Sequence, residues 1–465
     1  MPRPLTVLIL AAGLGTRMKS RQAKVLHRAG GRPLIDHVVA TALELTTPGR
    51  IFVVVGHQAE EVQAAVRHHG IGFIHQHEQK GTGHAVMIGR DALADLPGHL
   101  MILYGDCPLL RAATLRHLIE ALGESDAGVL LSAHMDDPTG YGRVIRDARG
   151  AVEAVIEQKA GTPEQLAIRE ANMGIYCYRN DLFWRYVDEI QPNNPAREYY
   201  LTDMVAILRQ AGHSVGAFTI PDPREALGIN TRLELAEVDA LFRDRKRRDL
   251  MLAGVTIENP STVTIDSGIA IGIDTIVEPF ARILGRTTIG ENCRIGAGAI
   301  IQDSHLADGV EIDPYTLIAE STLASGAHAG PFARLRPGAI VEESAHIGNF
   351  VELKKTRLGA RSKANHLAYL GDSQIGPGVN IGAGTITCNY DGSAKHPTTI
   401  GEGAFVGSNS TLVAPLEIGP NSYIAAGSTI TDPVPADALA LGRSRQVNKN
   451  DWARKRRALR KNRAV

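Results

Sequence analysis

The sequence predicts an α/β plus β protein, with an N-terminal domain built on a mostly parallel sheet with flanking helices and a C-terminal parallel β-helix. Two observations predict this fold class. In the first half of the chain, compact aliphatic runs alternate with helical patterns, which is typical of βαβ units. Between Ile265 and Ile301 an aliphatic residue stands at every sixth position. Neither a helix nor a strand has that period, whereas a coil with three short flat faces does.

Length and composition limit the possible functions. The chain has 465 residues, enough for two or three domains. Lys plus Arg and Asp plus Glu number 50 each, so no bulk charge favours nucleic acid or a membrane surface as a partner. No apolar run reaches the ~20 residues that span a bilayer. The four cysteines are far apart and form no CxxC pair, which favours reduced thiols in the cytoplasm.

The N-terminal half begins with an aliphatic run at 6–10, which we interpret as a buried strand. A signal peptide is the poorer interpretation, because a glycine loop with Arg17 and Lys19 follows at once. A helix is predicted after Pro33. Further strands are predicted at 51–55, 71–74, 101–104 and 129–132. Parallel sheets bind ligands at the carboxyl ends of their strands, so the segments 12–17, 76–82 and 104–106 are expected along one rim.

The second half of the chain begins with a change of pattern. Leu235, Val238 and Phe242 keep helical spacing, which predicts a connecting helix over 232–254. The hexads then run from 255 to 441 and amount to roughly ten coils.

Glycines follow several of the aliphatic positions, at Gly272, Gly290 and Gly296. We expect tight corners there that need a residue without a Cβ.

The last segment, 442–465, is a basic tail. From Arg443 onward it contains ten Lys or Arg residues and one acid, Asp451. A solvated tail is favoured over a specific anion site.

A first candidate site follows the first strand. Gly13 and Gly15 form a loop whose backbone N–H groups can approach phosphates, with Arg17 and Lys24 close behind. Asp106 ends another apolar strand, where a carboxylate can hold Mg²⁺ against substrate phosphates.

The glycine loop is a poor dinucleotide fingerprint. Met18 occupies the third glycine position, and Asp36, which has the right spacing for a ribose ligand, lies in a helical pattern.

A second candidate site lies where the hexads fail, between Leu323 and Pro397. Two basic residues there could hold a sugar phosphate, and a histidine of ordinary pKa suits proton removal at neutral pH. The polar residues that cluster around the slips are Arg336, Lys354, His366, Tyr369, Asn380, Asn389, Tyr390 and Lys395.

These motifs carry a resemblance. The stretch 10–18 followed by 24–27 is similar to the signature of sugar-1-phosphate nucleotidyltransferases, and the likeness continues through 81–85, 104–106, 138–143 and 228–230. With 365–372, 380–385 and the hexads, nearly the whole chain resembles the bifunctional N-acetylglucosamine-1-phosphate uridyltransferase/glucosamine-1-phosphate acetyltransferase family. One departure is Met173, where we expect a small hydroxyl residue.

The resemblance implies a Rossmann-like nucleotidyltransferase domain over 1–231 and a left-handed β-helix acetyltransferase domain of hexapeptide repeats over 255–441. It implies a cytoplasmic homotrimer that makes UDP-N-acetylglucosamine for peptidoglycan and lipopolysaccharide precursors. Its substrates would be UTP, glucosamine-1-phosphate, N-acetylglucosamine-1-phosphate and acetyl-CoA, with Mg²⁺ as cofactor.

For the first site, the resemblance implies that Arg17 and Lys24 neutralise the triphosphate and the transition state and that Asp106 and Asn230 ligate Mg²⁺. The residues that would bind UTP and UDP-N-acetylglucosamine are Leu10, Ala11, Ala12, Gly13, Lys24, Gln76, Gly81, Thr82, Tyr104, Gly105, Asp106, Gly142, Glu157, Asn172 and Asn230.

For the second site, the resemblance implies that His366 is the general base of acetyl transfer and that Asn389 orients the base or the amine. Glucosamine-1-phosphate would be bound by Arg336, Lys354, Tyr369 and Asn380. Acetyl-CoA would be bound by Ala383, Asn389, Tyr390, Ser408, Ala426 and Arg443. The family builds this site between subunits.

Two other functions are weighed against this one. A single-function nucleotidyltransferase with a purely structural β-helix would not need His366, Tyr369 and Asn389. A non-catalytic scaffold should have lost its phosphate-binding and metal-binding residues, whereas Arg17, Lys24, Asp106 and Asn230 are all present.

A metal site at His68, His69, His75 and His77 is disfavoured, because no acid or cysteine lies near them in the sequence.

Overall fold

The computed structural model describes residues 3–124, 126–194 and 196–461. The chain divides into two compact units after Arg245. Each unit has its own hydrophobic core, and each is described by itself below.

The first unit is built on a mixed sheet whose strands run in the spatial order β11-β7-β10-β6-β1-β4-β5. Its strands, with the separate hairpin β2–β3, are β1 (Leu5–Leu10), β2 (Arg28–Ala29), β3 (Arg32–Pro33), β4 (Ile51–Val55), β5 (Gly72–His75), β6 (His99–Tyr104), β7 (Asp126–His134), β8 (Gly142–Arg146), β9 (Val152–Ile156), β10 (Glu170–Arg179) and β11 (Ser214–Ile220). In this row β10 alone runs antiparallel to its neighbours, and it also carries the β8–β9 ribbon.

Helices cover both faces of this sheet. They are α1 (Leu34–Leu43), α2 (Ala59–Val66), α3 (Thr82–Met87), α4 (Arg90–Leu93), α5 (Ala112–Glu120), α6 (Pro163–Leu166), α7 (Asn180–Tyr186) and α8 (Asp203–Gln210). Alternate residues of β1 enter different cores: Val7 and Ile9 pack with α1, α2 and α5, while Leu8 and Leu10 pack with α3, α7 and α8. The mostly parallel α/β prediction is confirmed.

The sequence prediction missed the antiparallel strand β10. Nearly all of its residues are buried, with Ala171, Met173, Ile175 and Cys177 in one core and Tyr176 and Tyr178 in the other, so it lacks the alternation of apolar and polar residues that identifies a half-buried strand. The five strands that were predicted are all present, with ends displaced by a few residues.

Helix α9 (Arg232–Leu252) follows the sheet. It begins with a capping arrangement in which Glu234 Oε2 accepts the N–H of Thr231 at 2.7 Å and Thr231 Oγ1 accepts the N–H of Glu234 at 3.2 Å. Phe242 packs into the first unit, and Leu250 belongs to the core of the second. The predicted connecting helix therefore exists and ends two residues early.

The second unit is a left-handed parallel β-helix with three faces, each a parallel sheet of short strands. The first face contains Thr256–Ile257, Ile276–Val277, Arg294–Ile295, Glu311–Ile312, His328–Ala329, His346–Asn349, Lys363–His366, Asn380–Ile381, Phe405–Val406, Tyr423–Ile424 and Leu439–Ala440. The second face contains Thr264–Ile265, Arg282–Leu284, Ile300–Gln302, Leu317–Ala319, Arg334–Leu335, Glu352–Lys354, Tyr369–Gly371, Ile386–Cys388, Thr411–Val413 and Thr429–Ile430. The third face contains Ala270–Ile271, Thr288–Ile289, His305–Leu306, Thr322–Leu323, Ile340–Val341, Arg357–Leu358, Ser373–Ile375, Thr398–Ile400 and Leu416–Ile418.

The hexad positions form the predicted ladders. Ile265, Ile283 and Ile301 pair in register on the second face, and Ile295 on the first face is fully buried. Each coil therefore places one aliphatic side chain per face at the same height in the interior, as the period of six requires.

The glycines after ladder residues are needed for a different reason than the one predicted. Gly272, Gly290 and Gly296 do not have positive φ. A Cβ at Gly296 would lie 2.6 Å from the backbone nitrogen of Pro314 in the next coil. These glycines permit close stacking of coils rather than a left-handed turn.

The predicted break in the hexads is a compact loop. Ile375 and Ile400 pair directly on the third face, so the residues between them include an extra segment that leaves the coil. In that segment Tyr390 pairs with Lys395 in an antiparallel bridge, and Asp391 Oδ1 accepts two backbone N–H groups at 2.7 Å each.

The basic tail ends in an exposed helix, α10 (Trp452–Lys461); the tail's last four residues lie outside the described part of the chain. All four cysteines are free. Among the described helices, none is both long and apolar enough to cross a membrane.

Candidate active sites

The glycine loop after β1 closes on Lys24. Gly15 has a φ of +62°, and a Cβ there would stand 2.7 Å from the Cβ of Lys24, so both conformation and space require glycine. At Gly13 a Cβ would meet no described atom within 4 Å. The open side of the loop is therefore accessible to a ligand.

The loop borders a cavity of about 290 Å³. Its lining residues are Leu10, Ala11, Ala12, Gly13, Lys24, Val25, Gln76, Gln79, Gly81, Thr82, Ala85, Tyr104, Asp106 and Glu198. Most of the residues predicted to bind the nucleotide are thus brought together at the carboxyl ends of β1, β5 and β6. Gly105 does not line this cavity; a Cβ there would press on Ile35 and Val25.

A smaller cavity of about 200 Å³ adjoins the first, and the two share Tyr104 and Asp106. Its lining residues are Tyr104, Asp106, Cys107, Gly140, Tyr141, Gly142, Glu157, Asn172, Met173, Gly174, Tyr176, Thr202, Ala226 and Gly228. It contains Gly142, Glu157 and Asn172 from the residues predicted to bind UDP-N-acetylglucosamine, and Met173 also lines it.

Two cationic side chains, Lys24 and Arg17, contact the side-chain oxygens of Asp106 and Asn230 beside these cavities. The ammonium of Lys24 forms an ion pair with Asp106 Oδ2 and donates to Asn230 Oδ1 at 3.1 Å. Arg17 Nη2 donates to the same Asn230 oxygen at 2.7 Å. Residues from three distant parts of the sequence therefore form one cluster.

Some contributors to this site were missed from the sequence. Glu234 Oε2 accepts the backbone N–H of Asn230 at 2.6 Å, so the start of α9 positions Asn230. The helix-capping spacing from Thr231 to Glu234 could have shown this. Thr202 Oγ1 donates to Glu157 Oε1 at 3.2 Å, and no local pattern marks Thr202. Burial raises the pKa of Glu157 despite that bond.

In the second unit, His366 lies at the end of a first-face strand and is exposed. Its Nδ1 is 3.0 Å from Asn349 Oδ1, in register on the preceding coil. An amide oxygen only accepts, so in the neutral ring Nδ1 carries the proton and the lone pair is on Nε2. Asn349, which was not predicted, thus leaves His366 able to accept a proton.

A second group lies at the far end of the second-face strands. Lys354 Nζ is 3.1 Å from Asp372 Oδ2, and the amide nitrogen of Asn389 donates to the same carboxylate oxygen. Tyr369 Oη and Asn389 Nδ2 both lie over Gly371, 2.6 and 2.7 Å from where a Cβ would stand. The strand Tyr369–Gly371 separates this group from His366.

The other predicted residues of this site are distributed around it. Arg336 Nη1 donates to Glu352 Oε1 at 2.9 Å. Asn380 begins the first-face strand that pairs with the His366 strand. Tyr390 lies in the loop and its hydroxyl donates to the carbonyl of Gly392 at 2.6 Å.

Four of the six residues predicted to bind acetyl-CoA follow one corner of the coil. The backbone carbonyl of Ala383 accepts the N–H of Asn409, the neighbour of Ser408, at 2.7 Å. One coil further on, the carbonyl of Ser408 accepts the N–H of Gly427, the neighbour of Ala426, at 2.8 Å. A Cβ on Gly427 would stand 3.9 Å from Arg443 Cδ. Successive coils thus place Ala383, Ser408, Ala426 and Arg443 along one line.

We predicted that no acidic residue lies near His68 and His69, and this is wrong for the folded chain. Asp36 Oδ1 lies 2.8 Å from His69 Nε2 and 3.9 Å from His68 Nε2. Arg32 pairs with the other oxygen of the same carboxylate at 2.7 Å. That guanidinium already balances the charge of Asp36, so the cluster is an ion-paired contact between α1 and the turn before β5.

Comparison with known proteins gives matches in both units. Residues 7–253 match the family model described as MobA-like NTP transferase domain. Residues 261–364 match the GMPPB C-terminal domain, and residues 397–432 match the bacterial transferase hexapeptide (six repeats).

Curated relatives match over nearly the whole chain, and each is named bifunctional protein GlmU. The relative from Solibacter usitatus (strain Ellin6076) is 69% identical over 462 residues, 99% of each chain. That from Koribacter versatilis (strain Ellin345) is 50% identical over 98% of each. That from Shouchella clausii (strain KSM-K16) is 45% identical over 96% of this chain and 98% of the relative.

Fold and sites define a two-domain transferase, in which a nucleotidyltransferase domain precedes a hexapeptide β-helix. Sequence identities of 69% and 50% over nearly the full length of these relatives assign the chain to one family within this class. The chain belongs to the bifunctional GlmU family.

Proposed function

We propose that the protein is a bifunctional enzyme of UDP-N-acetylglucosamine synthesis. The β-helix unit acetylates glucosamine-1-phosphate with acetyl-CoA. The first unit then transfers UMP from UTP to N-acetylglucosamine-1-phosphate and releases pyrophosphate. One observation carries the proposal: a single chain holds a Lys24–Asp106–Asn230 cluster at two adjoining cavities and, in its other unit, a histidine with a free Nε2.

In uridylyl transfer, the larger cavity takes the nucleotide and the smaller one takes the sugar. A phosphate oxygen of the sugar attacks the α-phosphorus of UTP, and the bond to pyrophosphate breaks. Lys24 and Arg17 balance the charge that spreads over the phosphate oxygens, so catalysis is mainly positioning and charge stabilisation. The sharing of Tyr104 and Asp106 by the cavities supports this arrangement, because the two substrates meet there.

The donor set suits Mg²⁺. The carboxylate of Asp106 and the amide oxygen of Asn230 both approach the ammonium of Lys24, so they already share one cation, and hard oxygen donors are what Mg²⁺ prefers. Asp106 and Asn230 would hold the ion, which supplies charge neutralisation to the phosphates when bound.

In acetyl transfer, His366 takes a proton from the amine of glucosamine-1-phosphate through Nε2. The freed amine attacks the thioester carbon, and the bond to sulfur breaks. Lys354, Arg336, Tyr369 and Asn380 hold the sugar phosphate, and the corner line from Ala383 to Arg443 takes acetyl-CoA. The free Nε2 of His366 supports its role as the base.

We assign the two activities to 1–231 and 255–441, joined by the helix region 232–254 and followed by the tail 442–465. The division after Arg245 and the range of α9 support these bounds. The free cysteines support a reducing cytoplasm as the location, where the product would supply precursors of peptidoglycan and lipopolysaccharide.

A homotrimer is part of the proposal. Five large apolar side chains follow one corner of the β-helix, and we call them the corner column: Phe280, Tyr315, Phe332, Phe350 and Leu367. All are exposed, at 49–66%, and Tyr315, Phe332 and Phe350 stack at 5.3 and 5.5 Å. The column ends next to His366, so a second copy packed on it would complete the acetyl-transfer site.

The test is a mass-spectrometric assay with glucosamine-1-phosphate, acetyl-CoA, UTP and Mg²⁺, omitting each in turn. Omitting UTP should leave N-acetylglucosamine-1-phosphate, and omitting acetyl-CoA should leave no product. A protein that uridylylates supplied N-acetylglucosamine-1-phosphate but never acetylates would be the single-function alternative. A protein with neither activity would be a scaffold.

Asp106→Ala tests the metal assignment. It should abolish Mg²⁺-dependent uridylyl transfer and leave acetyl transfer at the wild-type rate. Full uridylyl transfer in this variant would show that the ligand is misassigned.

A further inference from the structure

Asp372 stands at the centre of the polar group on the second face, although neither sequence motif nor proposed mechanism gives it a role. Its Oδ2 receives both the ammonium of Lys354, at 3.1 Å, and the amide nitrogen of Asn389. The Lys354 and Asp372 side chains are only 11% and 19% exposed, and Asn389 is 7% exposed. Burial opposes ionisation of Asp372, but the bonds from Lys354 and Asn389 outweigh it and lower its pKa.

The bond from Asn389 determines which way its amide faces. A carboxylate only accepts hydrogen bonds, so the NH₂ group of Asn389 must point towards Asp372. Its side-chain carbonyl oxygen therefore points away from Asp372 and accepts no hydrogen bond from the described residues, so it is available as an acceptor. The amide nitrogen packs closely over Gly371, since a Cβ on that glycine would stand only 2.7 Å from Asn389 Nδ2. An acceptor is what a protonated or attacking amine requires.

The bond from Lys354 places a second functional group. The amine of Lys395 interacts closely with that of Lys354. This contact, together with the bond to Asp372, raises the pKa of Lys354, and the same contact lowers the pKa of Lys395. Two adjacent amines attract an anion, and Asp372 keeps one of them in place from the side. The carboxylate thus holds an amine acceptor and a phosphate-binding lysine at once.

The backbone of Asp372 is itself unusual. Its φ is +50°, a left-handed conformation that Asp and Asn tolerate better than most residues. Its N–H donates to the carbonyl of Lys354 at 2.8 Å. The carboxylate is therefore held against Lys354 through both backbone and side chain.

We propose that Asp372 is a positioning residue for acetyl transfer, which turns the Asn389 carbonyl towards the substrate amine and fixes Lys354 beside Lys395 for the sugar phosphate. This inference rests on the proposed acetyltransferase function. It predicts that removing the carboxylate lowers kcat, because the Asn389 carbonyl is no longer held towards the substrate amine. KM should not rise, because the phosphate-binding pair Lys354 and Lys395 loses a neighbouring negative charge.

The test is steady-state acetyl transfer by full-length Asp372→Asn, since Asn tolerates the left-handed backbone. We expect kcat to fall about 10- to 100-fold, with a KM for glucosamine-1-phosphate that is unchanged or lower. Asn389→Ala should lower kcat similarly, and the double variant should be little worse than either single one, because the two residues act as one unit.

Glu278→Gln is the matched control. It removes a carboxylate that pairs with Arg294 and accepts the N–H of Ala297 elsewhere in the same β-helix, and it should leave both constants at wild-type values. A raised KM with unchanged kcat in Asp372→Asn, additive losses in the double variant, or wild-type kinetics would each overturn the inference. If the wild-type protein does not acetylate glucosamine-1-phosphate, the proposed function fails instead. Circular dichroism confirms that each variant is folded.

Discussion

In each candidate site, one charged side chain bonds to two of the other polar groups. Lys24 joins Asp106 to Asn230, and Asp372 joins Lys354 to Asn389. In each case one partly buried charge accepts or donates several bonds, so removing it would leave its partners without a fixed orientation.

His366→Ala should lower acetyl transfer by ~10²–10⁴, the usual contribution of a general base, and leave uridylyl transfer nearly unchanged. Separate assays of the two half-reactions measure this. His305→Ala, which removes a β-helix histidine bonded to Thr288 on the third face, is the control and should change neither. Equal loss of both activities in His366→Ala would refute the assignment of two independent sites.

His37 should make the first unit sensitive to acid. It is 6% exposed, stacks on Phe242 at 4.1 Å, and its Nε2 donates to the carbonyl of Ala29 at 2.9 Å. Burial lowers its pKa to about 4. Between about pH 6.5 and 4 the unfolded chain binds a proton there that the folded chain does not, so stability falls as the pH falls through this window, by up to about 3 kcal/mol.

Denaturant unfolding followed by the fluorescence of buried Trp184 measures that pH effect. His37→Phe, which keeps the ring contact with Phe242, should show a weaker fall in stability from pH 6.5 to 4.5 than the wild type. His134→Gln, at an exposed histidine, should follow the wild type. An unchanged pH slope in His37→Phe would assign the acid sensitivity to other groups.

At the scale of elements, the regular coils of the β-helix form its core, and the candidate site lies in its irregular coils. Where coils stack regularly, ladder residues such as Ile283 and Ile295 are buried and the faces carry ordinary polar residues. Where the period slips, corners and the loop around Asn389 project polar groups that the interior could not accept. The candidate site therefore occupies the irregular part of an otherwise regular element.

Ile295→Asn should destabilise the β-helix by about 2–4 kcal/mol, because it places an amide without partners inside a ladder. Ile295→Val is the control and should cost only about 1 kcal/mol, since it removes one methylene. Differential scanning calorimetry of the full chain measures both. Equal melting temperatures for Asn and Val variants would contradict an inward position for Ile295.

For the molecule as a whole, the corner column is the proposed contact surface between copies of the chain. Each of its residues has a positive φ between 42° and 65°, a conformation that bulky residues rarely adopt. Bulky side chains at these five positions carry a conformational cost that a partner surface would offset.

Phe332→Glu should dissociate the proposed trimer and lower acetyl transfer, because it places a charge in the middle of the column. Sedimentation velocity gives the assembly state. Leu233→Glu, at a 71% exposed position of α9, should remain trimeric. A monomeric wild-type protein, or a trimeric and fully active Phe332→Glu variant, would contradict this role for the column.

Much of the fold was predictable because its signals are local. The ladder from Ile265 to Ile301, the glycine loop at Gly13 and Gly15, and α9 each show their period or spacing within a short stretch. The strand β10 was missed because both of its faces are buried, which removes the alternation of apolar and polar residues. The contact of Asp36 with His69 was missed because those residues lie on different elements.

The sequence by itself determined the architecture, the family and the residue types at both sites, since periodicity and motif spacing are properties of neighbouring residues. Only the tertiary structure decided which groups meet. Lys24, Asp106 and Asn230 converge because parallel strands end at one edge and α9 returns beside it. Asp372 reaches Lys354 and Asn389 because successive coils stack them in register. Such meetings depend on the path of the chain between distant residues, which no local pattern records.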